Sequence, residues 1–366
     1  MKLVRSELAH HRGRLPNPAS NARRRWIERE GLVLTLVDES GLHGRGEASP
    51  LPGYSPDTLQ ACADALRSLD VTSLRIDPEA PLASQLAHCS AVLPPHCPAA
   101  RFALECAVAD LVGTQTAQPL WALLAPNASE SRRAAAPRLT ALVDATAPAT
   151  VSRTVAEAAD RGMTSFKLKI ARPDARAREL EALEALRSAA GPSAVLRLDA
   201  NGCLPPQEAL QRLHELARFN PEFVEEPTRH LLEVVGSPVG LALDESLQDP
   251  GAFAQLEAWS RAAPLTTLVL KPMALGGISP CLNWALAADR LGLRVVLSHL
   301  FDGPIALGAC SHLALALNSP ETPTGLDHHS GLRAWPGASI STLSGANLCW
   351  SNEPGLGVTF DPGSEP

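Results

Sequence analysis

Three lysines carry the first sign of chemistry. Lys167, Lys169 and Lys271 lie inside apolar runs, FKLKI and LVLKP, in a chain that otherwise avoids lysine. Of its 32 basic residues 28 are arginine, and the one remaining lysine is the terminal Lys2. Arginine keeps its proton at any ordinary pH, whereas a desolvated lysine can give it up. Lysine at these positions suits a site that needs an ammonium able to become an amine. Acids recur in similar settings. Asp199 and Asn201 close LRLDAN, Glu225 and Glu226 close FVEEP, and Asp244 and Glu245 close LALDE. Carboxylates brought together repel one another unless a cation sits among them. A set of oxygens without Cys or His suits Mg²⁺, and Mn²⁺ fits the same ligands. Such a cation, bound to a substrate carboxylate, stabilises the charge left when the α-proton departs. A lysine of lowered proton affinity can take that proton. The expected chemistry is proton abstraction beside the carboxylate of a small molecule, leading to epimerisation, cycloisomerisation or β-elimination.

The elements that must position these groups are short apolar strands. They are read at 138–144, 165–170, 194–200, 222–226, 240–245, 266–272, 294–299 and, less regularly, 322–327, with helical stretches between most of them. Alternation of this kind predicts a (β/α)₈ (TIM-type) barrel. An open doubly wound sheet is the structural runner-up, but no GxGxxG follows a first strand, so no dinucleotide fingerprint supports it. The charged residues fall at the C-terminal strand ends, the rim where barrels place catalytic groups. Side chains alternate with period two, which puts Lys167 with Lys169, and Arg197 with Asp199 and Asn201, on one face. Asp199, Glu225 and Asp244 come from adjacent strands and should converge. Lys169 and Lys271, four strands apart, should face each other across the mouth. Ahead of the barrel, residues 1–132 read as an α+β unit: a strand at 2–10, a loop-like 11–23, a hairpin around Ser40-Gly41, and helices near 56–68, 80–90 and 97–115. The Gly/Pro/Ser-rich tail is expected to return to it. The predicted division is 1–132 completed by 335–366, with the barrel at 133–334.

Composition narrows the partners. A net charge of −7 argues against nucleic acid or an anionic membrane. No run of about 18 apolar residues exists to span a bilayer, and the N-terminus has no apolar run before a small-residue cleavage site. The eight cysteines form no CxxC pair and are expected to be free thiols of a cytoplasmic protein. Nothing in the sequence sets an oligomeric state.

Taken in order, FKLKI, LRLDANG, FVEEP, LALDES and LVLKP resemble the enolase superfamily, in its muconate-lactonizing-type branch, from about residue 30 to the GLGVTF of 355–360. That resemblance implies a modified barrel capped by a domain built from both chain ends. It implies Asp199, Glu225 and Asp244 as Mg²⁺ ligands, Lys169 as base and Lys271 as the opposite-face lysine, a pairing general to the superfamily. Lys167 would hold the substrate carboxylate and lower the proton affinity of Lys169. Asn201 and Glu245 would support the ligands, while Arg197 and Ser298 would contact substrate. EREGLVLTL and GRGEASPLPGYSPDTL narrow the likeness to members that dehydrate a hydroxycyclohexadiene carboxylate to an aromatic acid for menaquinone synthesis. Racemisation of N-acylamino acids and epimerisation of dipeptides are the alternatives on the same site. Dipeptide epimerases hold the substrate ammonium with an acidic motif near the end of the barrel, where TGLDHHSG offers Asp327 alone. The resemblance also makes 12–22 and 49–55 candidate specificity loops. Tyr54, the only tyrosine, is expected to be an apolar loop contact rather than a catalyst, and His299 a wall or loop residue, with an alternative base as the other reading.

Overall fold

GLVLTLVD at 31–38 is apolar almost throughout because it lies at the centre of a sheet. The computed structural model describes all residues except 21–23, 128–134, 318–320, 330, 333–334, 336, 362 and 364–366. In it β1 (Leu3–Ser20), β2 (Arg25–Asp38) and β3 (His43–Ala48) form an antiparallel sheet in that order. Its cover is the helix Pro98–Thr116, which approaches so closely that a Cβ at Gly44 or Gly46 would collide with the main chain of Ala107 or Ala103. Glycine is required there because only bare backbone fits.

Residues 11–20 correct the expectation of a loop. They continue β1, pairing out to Ser20 with Arg25, with a register shift between Arg14 and Ala19 that takes up Pro16 and Pro18. Proline cannot donate to a ladder, but an edge strand with an irregularity tolerates it. Residues 21–22 of the candidate loop 12–22 lie outside the described residues.

Seven parallel strands follow: β4 (Ala141–Val143), β5 (Ser165–Lys169), β6 (Val195–Asp199), β7 (Phe223–Glu225), β8 (Leu241–Leu243), β9 (Leu265–Leu270) and β10 (Arg294–Leu297). They pair in sequence order, as short β/α units require. The eighth position is reduced to Thr324 and Gly325. These bridge both edges, Thr324 to Leu139 ahead of β4 and Gly325 to Ser298 beyond β10, so a modified β/α barrel closes on two residues. Thr140 N–H donates to Thr324 O at 2.8 Å, and Gly325 N–H to Leu297 O at 2.8 Å. Phe223, Ala242, Val269 and Val296 form a small apolar cluster apart from the main core.

The tail meets the N-terminal unit through main-chain bonds between Leu120 and Gly355 and between Gly355 and Gln118, and through Leu356 N–H donating to the Asp110 side chain at Oδ1. All eight cysteines are free. No helix among the described residues is long and apolar enough to cross a membrane.

Candidate active site

The strand pairing brings the charged residues together. Lys169 is opposite Asp199 in the β5–β6 ladder, and Asp199 is opposite Glu225 in the β6–β7 ladder. Lys167, Lys169, Asp199, Asn201 and Lys271 all line one cavity of about 610 Å³ at the C-terminal rim. A larger hollow, about 1050 Å³, opens at the opposite rim near Leu293, and among the described residues its only charged lining residues are Asp289 and Arg294. Volume alone would select the wrong one.

Lys167 Nζ donates to both Glu225 oxygens at 2.8 and 2.7 Å and lies 3.0 Å from Asp199 Oδ2. Lys271 Nζ is paired with Asp244 and donates to the Tyr54 hydroxyl at 3.0 Å. Burial works against both ammonium groups, but the acids around them hold their proton affinity above the usual lysine range. Lys169 differs. It is 7 % exposed, and burial, with the positive charges of Lys167 and Lys271, brings its pKa down to about 8. Its Nζ contacts the carbonyl of Ser20 in β1 and lies 5.4 Å from the centre of the Phe301 ring.

The acids are held from below. Asn201, at φ 46°, turns the chain off β6 so that its own N–H donates to Asp199 Oδ1 at 3.0 Å, while Nδ2 donates to Glu245 Oε1 at 3.1 Å. Glu226, at φ 41°, accepts from the N–H groups of Asp244 and Ser246, each at 2.8 Å. Left-handed backbone is tolerable for Asn and costly for Glu, and such strain gathers at functional sites. Burial and the neighbouring Asp199 push the Glu225 carboxyl up to about 8. The same two causes push Glu245 up to about 7.

No three acids, histidines or cysteines among the described residues are gathered as a ready metal cage; lysines take up the carboxylate oxygens instead. The donor set still fits a hard cation. Three buried carboxylates, Asp199, Glu225 and Asp244, and the half-buried Glu245 face three ammonium groups; Asp199 alone of the four lines the cavity, the others standing behind the lysines, and the Oε2 atom of Glu245 is buried without a hydrogen-bond partner. Oxygen ligands on adjacent strand ends suit Mg²⁺.

Not every expectation for the site holds. Arg197 points into the barrel but does not line the cavity. It is 1 % exposed and donates to Glu222 at 2.6 Å, to Thr140 Oγ1 at 3.1 Å and to Pro323 O at 2.7 Å. Period-two alternation gives the face of a residue and not its height; Arg197 sits one step below Asp199 and reaches the cavity only through Thr140. Tyr54 is not an apolar contact: its hydroxyl donates to Asp244 Oδ1 at 2.6 Å. Ser298 lines the cavity and donates to Gly325 O at 3.3 Å. His299 lines it too, with Nδ1 accepting from Phe301 N–H at 3.0 Å and a further hydrogen bond to the Asp327 main chain. Burial and the nearby lysines hold its pKa near 3, so it is a neutral wall residue.

Two ion pairs escaped sequence reasoning. Asp144, just past β4, pairs with Arg172 and accepts from Ser20 Oγ at 2.7 Å, tying β1 to the mouth beside Lys169. Its place at a strand end was the available signal. Arg161 grips Asp327 with two bonds at 3.2 and 3.0 Å across the cavity wall, and nothing in the local sequence announces that pairing.

Residues 150–364 match the protein family described as enolase C-terminal domain-like. The chain is 30% identical over 338 residues to an o-succinylbenzoate synthase of Citrobacter koseri, covering 88% of this chain and 91% of that one. Among solved structures it superimposes with a TM-score of 0.84 on a dipeptide epimerase from Methylococcus capsulatus complexed with Mg and the dipeptide L-Arg-D-Lys, at 25% identity over 98% of this chain and 100% of the other. An N-succinyl Arg/Lys racemase from Bacillus cereus gives a TM-score of 0.85 at 19% identity over 100% and 97%, a likeness of fold.

Proposed function

This chain belongs to the enolase superfamily, and on that premise we propose that it is an o-succinylbenzoate synthase. It would be a cytoplasmic, Mg²⁺-dependent lyase of menaquinone synthesis that removes water from 2-succinyl-6-hydroxy-2,4-cyclohexadiene-1-carboxylate. The observation that carries the reading is Lys169: one buried lysine of lowered proton affinity beside two that keep their charge, at a rim lined with carboxylates.

Asp199, Glu225 and Asp244 would hold Mg²⁺, or Mn²⁺, which supplies positive charge against the substrate carboxylate. Lys167 adds charge at the same place and disfavours a proton on Lys169. Lys169 takes the proton from the carbon bearing the carboxylate. The electron pair so released is first held on the carboxylate as an enolate; it then forms the new ring double bond as the neighbouring C–O bond breaks, and the hydroxide leaves as water with the proton returned by Lys169. Lys271 faces the ring and stabilises the enolate by charge. Asn201 and Glu245 orient the acids, Ser298 contacts substrate, and Arg197 acts through Thr140. In the proposed division, 1–132 with 335–366 caps the barrel of 133–334.

Racemisation or epimerisation is a second reading, favoured by Lys271 lining the same cavity as Lys169, as a two-base reaction needs. The Arg161–Asp327 pair weighs against a dipeptide: an arginine already neutralises the carboxylate available to hold an ammonium. The test is an absorbance assay with the cyclohexadiene substrate and Mg²⁺, with and without EDTA. EDTA-sensitive appearance of the aromatic product is expected. No turnover, with deuterium exchanged at the α-carbon of an N-succinylamino acid, would overturn the synthase reading in favour of racemisation.

A further inference from the structure

We propose that Tyr54 is a positioning residue that couples the capping loop 49–55 to the metal end of the barrel. This rests on the reading of Asp244 as a metal ligand, not on the identity of the substrate. The loop is built to deliver one side chain. Tyr54 and Ser55 N–H groups both donate to Leu51 O, at 3.0 and 2.9 Å, closing a tight turn, and Ser55 Oγ accepts from Leu51 N–H at 2.9 Å. Trp26 of β2 fixes the turn from outside by donating to Pro52 O at 3.1 Å. Arg29 of β2 fixes its approach, donating to Pro50 O at 3.1 Å and Ser49 O at 2.6 Å, and reaches across to Phe301 O at 3.0 Å on the cavity wall. From this frame the phenol enters the cavity and its hydroxyl does two things. It donates to Asp244 Oδ1 at 2.6 Å and accepts from Lys271 Nζ at 3.0 Å. The same ammonium lies 4.5 Å from the centre of the ring.

One hydroxyl therefore orders a carboxylate and an ammonium 27 residues apart in sequence and fastens both to a loop of the other unit. A hydrogen bond between a phenol and an ionised carboxylate is of the stronger, charge-assisted kind. It orients Asp244 through Oδ1, and partners of this sort around a ligand commonly change metal affinity by about 10- to 100-fold. It also gives Lys271 a neutral anchor besides Asp244, so that ammonium need not follow the carboxylate when the carboxylate turns to a cation. Coupling is reciprocal: if Tyr54 strengthens the hold on Mg²⁺, then Mg²⁺ must strengthen the hold on the loop.

The decisive experiment compares the parent protein with Tyr54→Phe, which keeps the ring and removes the hydroxyl. Mg²⁺ alone is titrated calorimetrically, and amide hydrogen exchange over 49–57 is followed with and without saturating Mg²⁺. Circular dichroism first confirms that the variant folds. The expected result is a Mg²⁺ affinity about tenfold weaker in Tyr54→Phe, and a slowing of loop exchange by Mg²⁺ in the parent that the variant lacks. Equal affinities, or a Mg²⁺ effect on the loop that is the same in both proteins, would overturn the proposal. Neither readout uses the cyclohexadiene substrate. A parent that fails to dehydrate it would defeat the synthase reading while leaving this comparison intact. Should the variant not fold, the parent decides alone: exchange over 49–57 indifferent to Mg²⁺ ends the proposal.

Discussion

Arg197 and Asp199 stand two residues apart on β6, point into the same barrel and are both buried, yet they belong to different worlds. Around Arg197, on the floor, charge is fixed. A guanidinium that cannot lose its proton donates to Glu222, to Thr140 and to a main-chain carbonyl, and Glu222 is shared with Arg294. Around Asp199, at the mouth, charge is movable. The cations are lysines, one of them poised near pH 8, and the carboxylates outnumber them. The floor uses ionic contacts to join strands to one another; the mouth pairs its carboxylates with lysines and sets beside them a lysine of lowered proton affinity, which is what binding a cation and moving a proton would need. Structure and reactivity divide along a single strand by one step of height.

Removing the movable proton should have the largest effect. Lys169→Ala is expected to lower kcat/KM by about 10²- to 10⁴-fold with Mg²⁺ affinity unchanged; normal turnover would remove Lys169 as base. On the proposal that Lys169 is the base, the amine is the working form, so activity in the parent should rise with pH below about 8 and level above it, a limb that Lys169→Ala loses. The stability effect has the same direction: this proton affinity is lower folded than unfolded, so the unfolded chain binds more protons between about pH 8 and 10.5 and stability rises across that window. Next comes Asp244→Asn, expected to weaken Mg²⁺ by at least about a hundredfold, since even partners behind a ligand cost up to that much. An unchanged calorimetric titration would take Asp244 out of the ligand set.

Arg197→Met tests the floor. It should cost about 2–3 kcal/mol in urea denaturation, below the usual value for breaking a buried pair because Arg294 still holds Glu222. Turnover should fall as well, through the loss of the bond to Thr140. A variant as stable as the parent would deny Arg197 its structural role. The smallest effect is expected at Ser298, whose 3.3 Å bond to Gly325 O is weak; Ser298→Ala should change KM by less than about threefold, and a larger loss would make its hydroxyl a principal substrate contact.

Much of this was legible beforehand because the signals are local. Each strand is a run of five or six residues, its two-residue period places Lys167 with Lys169, and its end marks the rim, so the cavity-lining lysines and Asp199 could be named from short stretches of chain. Even the vestigial eighth strand at 322–327 could be suspected. What local signals lack is depth and distance. They placed Arg197 on the correct face but could not say that the cavity stops above it. They took Pro16 and Pro18 for a loop, because edge position and register shift depend on a partner strand. They could not join Tyr54 to Asp244 or Arg161 to Asp327, pairs separated by 190 and 166 residues. The sequence by itself determined the barrel and the order of its charged rim, and it pointed to a chemistry that would need lysine, since periodicity and side-chain chemistry act over a few residues. Only the tertiary structure decided which of those charges meet, which are sealed beneath the cavity and which loop reaches over it, because those depend on how the closed sheet and its cap bring distant segments into contact.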